Sequence, residues 1–182
     1  MEQLLSDERV VLRPLTIADI DGNYLNWFND PQVVRHNSHG RWPMTREKLE
    51  AYVAGLANDS SIMVFAVECR EASVHVGNIS LQNLNWVDRN AEVAFVLGET
   101  GFRGKGLMHS AGRLLISHAF NTLNLHRVYC GTLDSNLAMK RLAEKLGMKE
   151  EGRRVEALFK DGAYVDIIEY GLLRRNWLEA NR

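Results

Sequence analysis

Residues 91–108 read Ala91-Glu92-Val93-Ala94-Phe95-Val96-Leu97-Gly98-Glu99-Thr100-Gly101-Phe102-Arg103-Gly104-Lys105-Gly106-Leu107-Met108. The first seven alternate, with Val93, Phe95 and Leu97 on one side and Glu92, Ala94 and Val96 on the other. That pattern predicts a strand carrying a carboxylate beside two apolar neighbours. A helix is predicted after it over residues 105–123, with the stripe Leu107, Ala111, Leu114, Leu115 and His118. The turn between them is rich in glycine, so backbone can approach a ligand closely, and the free N–H groups of a helix start favour an anion. Arg103 and Lys105 add formal positive charge there, and a phosphate-rich ligand is the natural partner.

The surrounding chain reads as strands and helices without repeats, low-complexity tracts or linkers, which predicts one domain over residues 1–182. A short strand at residues 10–13 precedes a helix from Thr16, with Ile20, Tyr24, Trp27 and Phe28 at helical spacing and Asp30-Pro31 as its end. Another helix runs from Thr45 to Leu56, and a buried strand covers residues 62–67. Val74 and Val76 alternate, then the apolar phase slips at Gly77 to Ile79 and Leu81, as a β-bulge would cause. After the glycine turn come a strand at residues 126–133 and a helix capped by Asp134-Ser135-Asn136 and ended by Gly147. Residues 155–160 and 164–173 form a hairpin about Asp161-Gly162.

Composition narrows the function. The 182 residues hold 22 Lys plus Arg against 23 Asp plus Glu, a net charge of −1, with 46% hydrophobic and 25% charged residues. This is an ordinary folded protein with no general attraction to nucleic acid or an anionic membrane. No apolar run approaches the roughly 18 residues of a membrane span. The first ten residues lack the basic start and apolar core of a signal peptide, and Cys69 and Cys130 lie in apolar stretches as reduced thiols would, so a cytoplasmic address is expected. Charge is nonetheless uneven: residues 100–133 hold no Asp or Glu but include Arg103, Lys105, Arg113 and Arg127. That leaves one basic region on a mildly acidic body.

Two phosphate-binding motifs fail here. A P-loop would need Gly where Glu99 stands and Ser or Thr where Gly106 stands, and a dinucleotide fingerprint would need Gly where His109 stands. Instead, Arg103, Gly106 and Met108 resemble the Arg/Gln-x-x-Gly-x-Gly/Ala signature of the GCN5-related N-acetyltransferases, with Met108 in place of Gly or Ala. Asn136-x-Ala138 and Glu144-Lys145-Leu146-Gly147-Met148 resemble that superfamily's second motif. Trp27-x-Asn29-Asp30-Pro31 and Asp161-Gly162-x-Tyr164-x-Asp166 look like the branch that acetylates ribosomal-protein N-termini, spermidine and amino sugars.

The resemblance implies an α/β (α+β) fold: a mixed, mostly antiparallel sheet of about seven strands flanked by helices, with two central parallel strands splayed apart. It implies acetyl-coenzyme A as donor, no metal, and direct attack by an amine of a small molecule or peptide on the thioester, with no nucleic-acid or membrane partner; relatives are often dimers. The pyrophosphate would lie on Arg103, Gly104, Lys105, Gly106, Leu107, Met108 and His109. The pantetheine arm would meet the backbone of Phe95, Val96 and Leu97, whose amides could polarise the thioester carbonyl, and would meet Asn136 and Lys140.

An acceptor amine is mostly protonated at neutral pH, with a pKa near 8 to 10.4, so a base is needed. Glu92 is the candidate base, and an ordinary salt-bridged glutamate is the competing reading. The superfamily's usual tyrosine, seven residues after the motif Asn, is replaced by Ala143; Tyr170 is a candidate acid, although core packing suits it equally. Trp27, Asn29, His36, Trp42, Tyr164 and Asp166 are candidates for acceptor recognition. His36-x-x-His39 lacks the further ligands of a metal site. A non-catalytic acyl-coenzyme A sensor on the same fold is the alternative function.

Overall fold

The computed structural model describes residues 5–181. Strands β1 (Leu5–Ser6), β2 (Val10–Pro14), β3 (Met63–Cys69), β4 (Val74–Asn85), β5 (Asn90–Leu97), β6 (Arg127–Leu133), β7 (Lys149–Lys160) and β8 (Ala163–Leu173) build one sheet in the order β1-β2-β3-β4-β5-β6-β8-β7. The sheet thus has eight strands where about seven were expected, counting the two-residue β1. Neighbours run antiparallel except β5 and β6, which are parallel and joined through a helical crossover. The helices are α1 (Tyr24–Trp27), α2 (Pro31–Val34), α3 (Arg46–Gly55), α4 (Leu107–Asn121), α5 (Leu137–Lys145) and α6 (Arg174–Ala180). None of them is long and apolar enough to cross a membrane.

Strand alternation sorts the core into two layers. On one face α4, α5 and α6 bury Ala111, Leu115, Phe120, Leu146 and Trp177 against Ile79, Val93, Val128 and Ile168. On the other, Ile20, Tyr24, Trp27, Phe28, Leu49 and Val53 gather over Ala66. Each cluster removes its side chains from water, worth about 1.5–3 kcal/mol per large apolar side chain before entropy is subtracted. Cys69 and Cys130 are both buried and unbonded to one another.

The expected bulge at Gly77 is present. Val67 pairs with Gly77 but Glu68 pairs with His75, leaving Val76 as the extra residue. A side chain on Gly77 would overlap Val96 O and the Met108 methyl, so a glycine lets β4, β5 and α4 close together there. The hairpin turn is also as read, with Asp161 and Gly162 at φ 51° and 84°. Its strand β7 starts earlier than expected, at Lys149.

The helix expected from Thr16 is instead broken. A single 3₁₀ turn covers Ile17–Asp21, ends at Gly22, and only then does α1 begin. Asp19 reaches back onto Thr16 N–H at 2.8 Å as a capping box and onto Arg13 of β2, and the turn stops at Gly22. Asp30-Pro31 does not end a helix but opens one. Asp30 Oδ1 accepts from Gln32 N–H at 2.8 Å, and Pro31 occupies the first turn, where its missing N–H costs nothing.

Candidate functional site

The parallel ladder between β5 and β6 is short. It joins Asn90 to Arg127, Ala91 to Val128 and Glu92 to Tyr129, then stops, although β5 continues to Leu97 and β6 to Leu133. Beyond Glu92 and Tyr129 the strands splay and leave backbone groups unpaired on the facing edges. Gly98 N–H donates to Val76 O at 3.0 Å, so alternation along the strand turns the N–H of Val96 toward β4 and those of Phe95 and Leu97 into the splay. Val96, expected to offer its amide with the other two, belongs to the β4 ladder.

The splay opens toward the glycine turn. Gly104 and Gly106 both adopt left-handed backbone, φ 76° and 77°, which glycine enters without strain. Gly106 caps α4, and among the described residues no acceptor lies on the N–H groups of Gly106, Leu107 and Met108. The side chains of Leu107 and Met108 point away from this pocket: Leu107 is in the core, and Met108 packs onto Gly77. Methionine can therefore stand at a position where Gly or Ala is usual without filling the anion site. Lys105 Nζ sits 4.5 Å above the Phe102 ring, and Arg103 reaches across to Gln32 O of α2 at 3.0 Å. His109 is half-exposed in the first turn. Arg9, which the sequence reading passed over, donates from its guanidinium to Lys105 O at 3.3 Å and brings a third cation to the turn. Nothing local to Arg9 signals this, because the contact spans 96 positions.

At the closed end of the splay stand Glu92 and Tyr129, whose pairing puts both side chains on the same face as Gln82 of β4. Asn83, held at φ 52° in a bulge of the β4–β5 ladder, donates to Glu92 Oε2 at 3.0 Å. Burial pushes the Glu92 carboxyl above the ordinary glutamate range, and the nearby Glu169 carboxylate adds to this, against the Asn83 bond and Arg154. Glu169 accepts from Arg154 at 2.6 Å. Among the described residues no Lys, Arg or His lies within salt-bridge distance of Glu92. Gly131, on the same face and exposed, leaves an open floor beside Glu169.

The other predicted residues divide. Tyr170 pairs with Cys130 on the opposite, helix-covered face and is 2% exposed, so it packs the core and does not share a face with Glu92. Asn136 caps α5, accepting from Met139 N–H at 3.2 Å and donating to Thr132 Oγ at 3.1 Å, at the far end of β6. Lys140 is paired with Asp134 at 2.8 Å. Trp27 is 2% exposed and lies against Gly98, its indole N–H donating to Glu99 at 3.0 Å, so it secures the end of β5. Asn29 exchanges bonds with the backbone of Met44 at 2.9 and 3.0 Å, closing the loop after α2.

Trp42, 80% exposed, and Asn29 line a cavity of about 550 Å³ with Pro31, Lys160 and Asp161, which Glu92 does not line. Asp166 is bound to Arg153 at 2.7 Å and to Glu156 N–H at 2.8 Å, steadying a bulge in β7. Tyr164 stacks edge-on with Phe159 at the exposed hairpin tip. His36 is half-buried near Lys160, and burial followed by Arg35, Lys160 and Arg103 holds its pKa down. His39 stacks on Phe28, and among the described residues no group of three metal-ligating side chains occurs.

Comparison with known proteins gives a consistent result. A family model for the acetyltransferase (GNAT) domain matches residues 9–149. A Bacillus subtilis (strain 168) protein provisionally named ribosomal N-acetyltransferase YdaF is 33% identical over 136 residues, covering 75% of this chain and 67% of that one. Escherichia coli (strain K12) spermidine N(1)-acetyltransferase is 27% identical over 178 residues, covering 97% of this chain and 92% of that protein. The fold matches that of Vibrio cholerae spermidine N-acetyltransferase in complex with CoA and spermine. There the TM-score is 0.85 at 24% identity, covering 94% of this chain and 99% of the other.

Proposed function

The chain belongs to the GNAT acetyltransferase domain family, and from that membership we propose that it moves an acetyl group from acetyl-coenzyme A to a primary amine by direct attack in a ternary complex. Acetyl-coenzyme A is the donor. Its pyrophosphate lies on the amides of Gly106, Leu107 and Met108, with Arg9, Arg103 and Lys105 supplying positive charge. Its pantetheine arm adds to the open edge of β5 at Phe95 and Leu97, whose N–H groups face the splay and stabilise the oxyanion.

The observation that carries this reading is the position of Glu92. It stands on the last rung before the strands part, without a salt bridge among the described residues, and burial raises its carboxyl above the ordinary value. A base there takes a proton from an ammonium that arrives over Gly131. The relatives named for ribosomal and spermidine acetylation support two acceptor classes, a protein N-terminus and a small-molecule polyamine, and the carboxylates of Glu92 and Glu169 favour a cationic amine in either. We take residues 1–182 as one acetyltransferase domain.

The test is a screen of N-terminal peptides, polyamines and amino sugars with acetyl-coenzyme A, followed by initial-rate kinetics on the best acceptor. Intersecting double-reciprocal lines are expected for a ternary complex; parallel lines, the mark of an acetyl-enzyme, contradict it.

A further inference from the structure

The bonding changes of this reaction leave one proton unassigned on the protein. The amine nitrogen forms a bond to the thioester carbon and the C–S bond breaks, its electron pair leaving on sulfur. Starting from the ammonium, nitrogen gives up two protons, which the carboxylate of Glu92 passes to solvent in turn. Sulfur needs one proton back if it is to leave as a thiol.

Of the five tyrosines in the chain, four are placed elsewhere. Tyr24 is the buried first residue of α1, Tyr52 lies on α3, Tyr164 is at the hairpin tip, and Tyr170 is on the opposite face of the sheet. Tyr129 is the exception. It faces Glu92 across the final rung of the β5–β6 ladder, half-exposed at the point where the splay begins. Besides Glu92 and Tyr129, the one titratable side chain on this face of β5 and β6 is Arg127, which is paired with Glu151. Gly171, directly opposite Tyr129 on β8, has no side chain, and the Arg127–Glu151 pair fills the space above it.

We propose that Tyr129 is the proton donor to the departing sulfur, its phenol O–H protonating the thiolate as the C–S bond breaks and regaining a proton from solvent afterwards. The proposal rests on the acetyltransferase reading of the same splay. Its surroundings keep the phenol protonated: burial first, then the Glu92 carboxylate of β5, raise its pKa, and Glu169 of β8 adds to them, while Asn83 of β4 and Arg127 of its own strand oppose. A protonated phenol beside an ionised carboxylate gives an acid and a base on one face, each in the state its step requires.

Tyr129→Phe removes the proton and keeps the ring. The expected result is a fall in kcat of about 10-fold or more, with the KM values for acetyl-coenzyme A and amine within about twofold of wild type. A ring-fluorinated tyrosine placed at position 129 separates proton donation from packing. Its more acidic phenol moves the alkaline limb of the kcat profile to lower pH, whereas a structural role leaves that limb in place. An unchanged kcat in Tyr129→Phe, or an unmoved limb in the fluorinated protein, overturns the proposal while wild-type turnover leaves the acetyltransferase reading standing. Absence of wild-type turnover with every amine overturns both.

Discussion

Asn83 donates to Glu92 Oε2 at 3.0 Å from a left-handed position in the bulge that interrupts the β4–β5 ladder. The bond orients one carboxylate oxygen and leaves the other for an acceptor. Glu92→Gln keeps the shape and removes the base, so kcat at neutral pH falls by about 10²–10⁴-fold with the Kd for acetyl-coenzyme A unchanged, measured by calorimetry. Because burial raises the Glu92 carboxyl, the acid limb of kcat/KM lies above the ordinary glutamate value of about 4.3: activity is full where Glu92 is ionised and falls as pH drops through the raised value. Asn83→Ala weakens the opposing bond and moves that limb further up.

Gly106 and Arg9 meet at the α4 N-terminus. A side chain on Gly106 would be forced into the left-handed region, at about 1–2 kcal/mol for an L-residue, and would crowd the Arg9 guanidinium. Gly106→Ala is expected to weaken acetyl-coenzyme A binding about 10-fold or more, in line with that cost. Arg9→Ala weakens it several-fold, and its effect shrinks as salt is raised, as for an exposed charge. Equal affinities in the variants and wild type by calorimetry would remove both residues from the coenzyme site.

The Trp27 indole occupies the space a Gly98 side chain would need. Gly98→Ala overpacks the junction of α1 and β5 and costs about 1–3 kcal/mol, read as a lower midpoint in urea. Replacing Trp27 with Leu in the same chain recovers part of the loss, and a double variant no more stable than Gly98→Ala alone would contradict the contact.

Asp19, with a side chain 6% exposed, is bound to Arg13 at 2.6 Å. Burial works to raise its carboxyl, but the Arg13 and Thr16 hydrogen bonds and the Arg13 charge outweigh it, leaving the folded pKa below the ordinary aspartate value. The stability this contributes is present above the unfolded pKa of about 3.9 and is lost as pH falls through the folded value. Asp19→Asn leaves Arg13 with Glu68 as its remaining carboxylate partner and costs about 1.5–3 kcal/mol, the worth of a hydrogen bond to a charged group, with a weaker dependence on pH below about 4 in thermal unfolding.

Local signals were readable where neighbouring residues decide the structure. Gly77 announced a bulge, Asp161-Gly162 a hairpin, Asn136 a cap, and Gly104 with Gly106 an anion-ready turn, because in each case the backbone conformation depends on residues a few positions away. The partners of the acceptor candidates were not readable. Trp27 and Asn29 sit on short helical turns where they could have faced a ligand, but partners far along the chain, Glu99 and Met44, engage them. Tyr170 shares a strand with Asp166 and Tyr164, yet its face is covered by α4 and α5, which the pattern of β8 alone does not reveal. Arg9 reaches the site through a side-chain bond across 96 positions and Tyr129 through pairing across the sheet, and no motif marks either one.

In the proposed reaction the β5–β6 splay is where an amine meets the thioester. Free thiol and acetylated amine followed together in one reaction, with wild type and Glu92→Gln side by side, test it most directly. Thiol and N-acetyl product are expected in equal amounts, dependent on the amine, and nearly absent in Glu92→Gln although acetyl-coenzyme A still binds. Thiol release that continues unchanged in Glu92→Gln, or acetyl-coenzyme A binding with no amine acetylated by wild type, would contradict it.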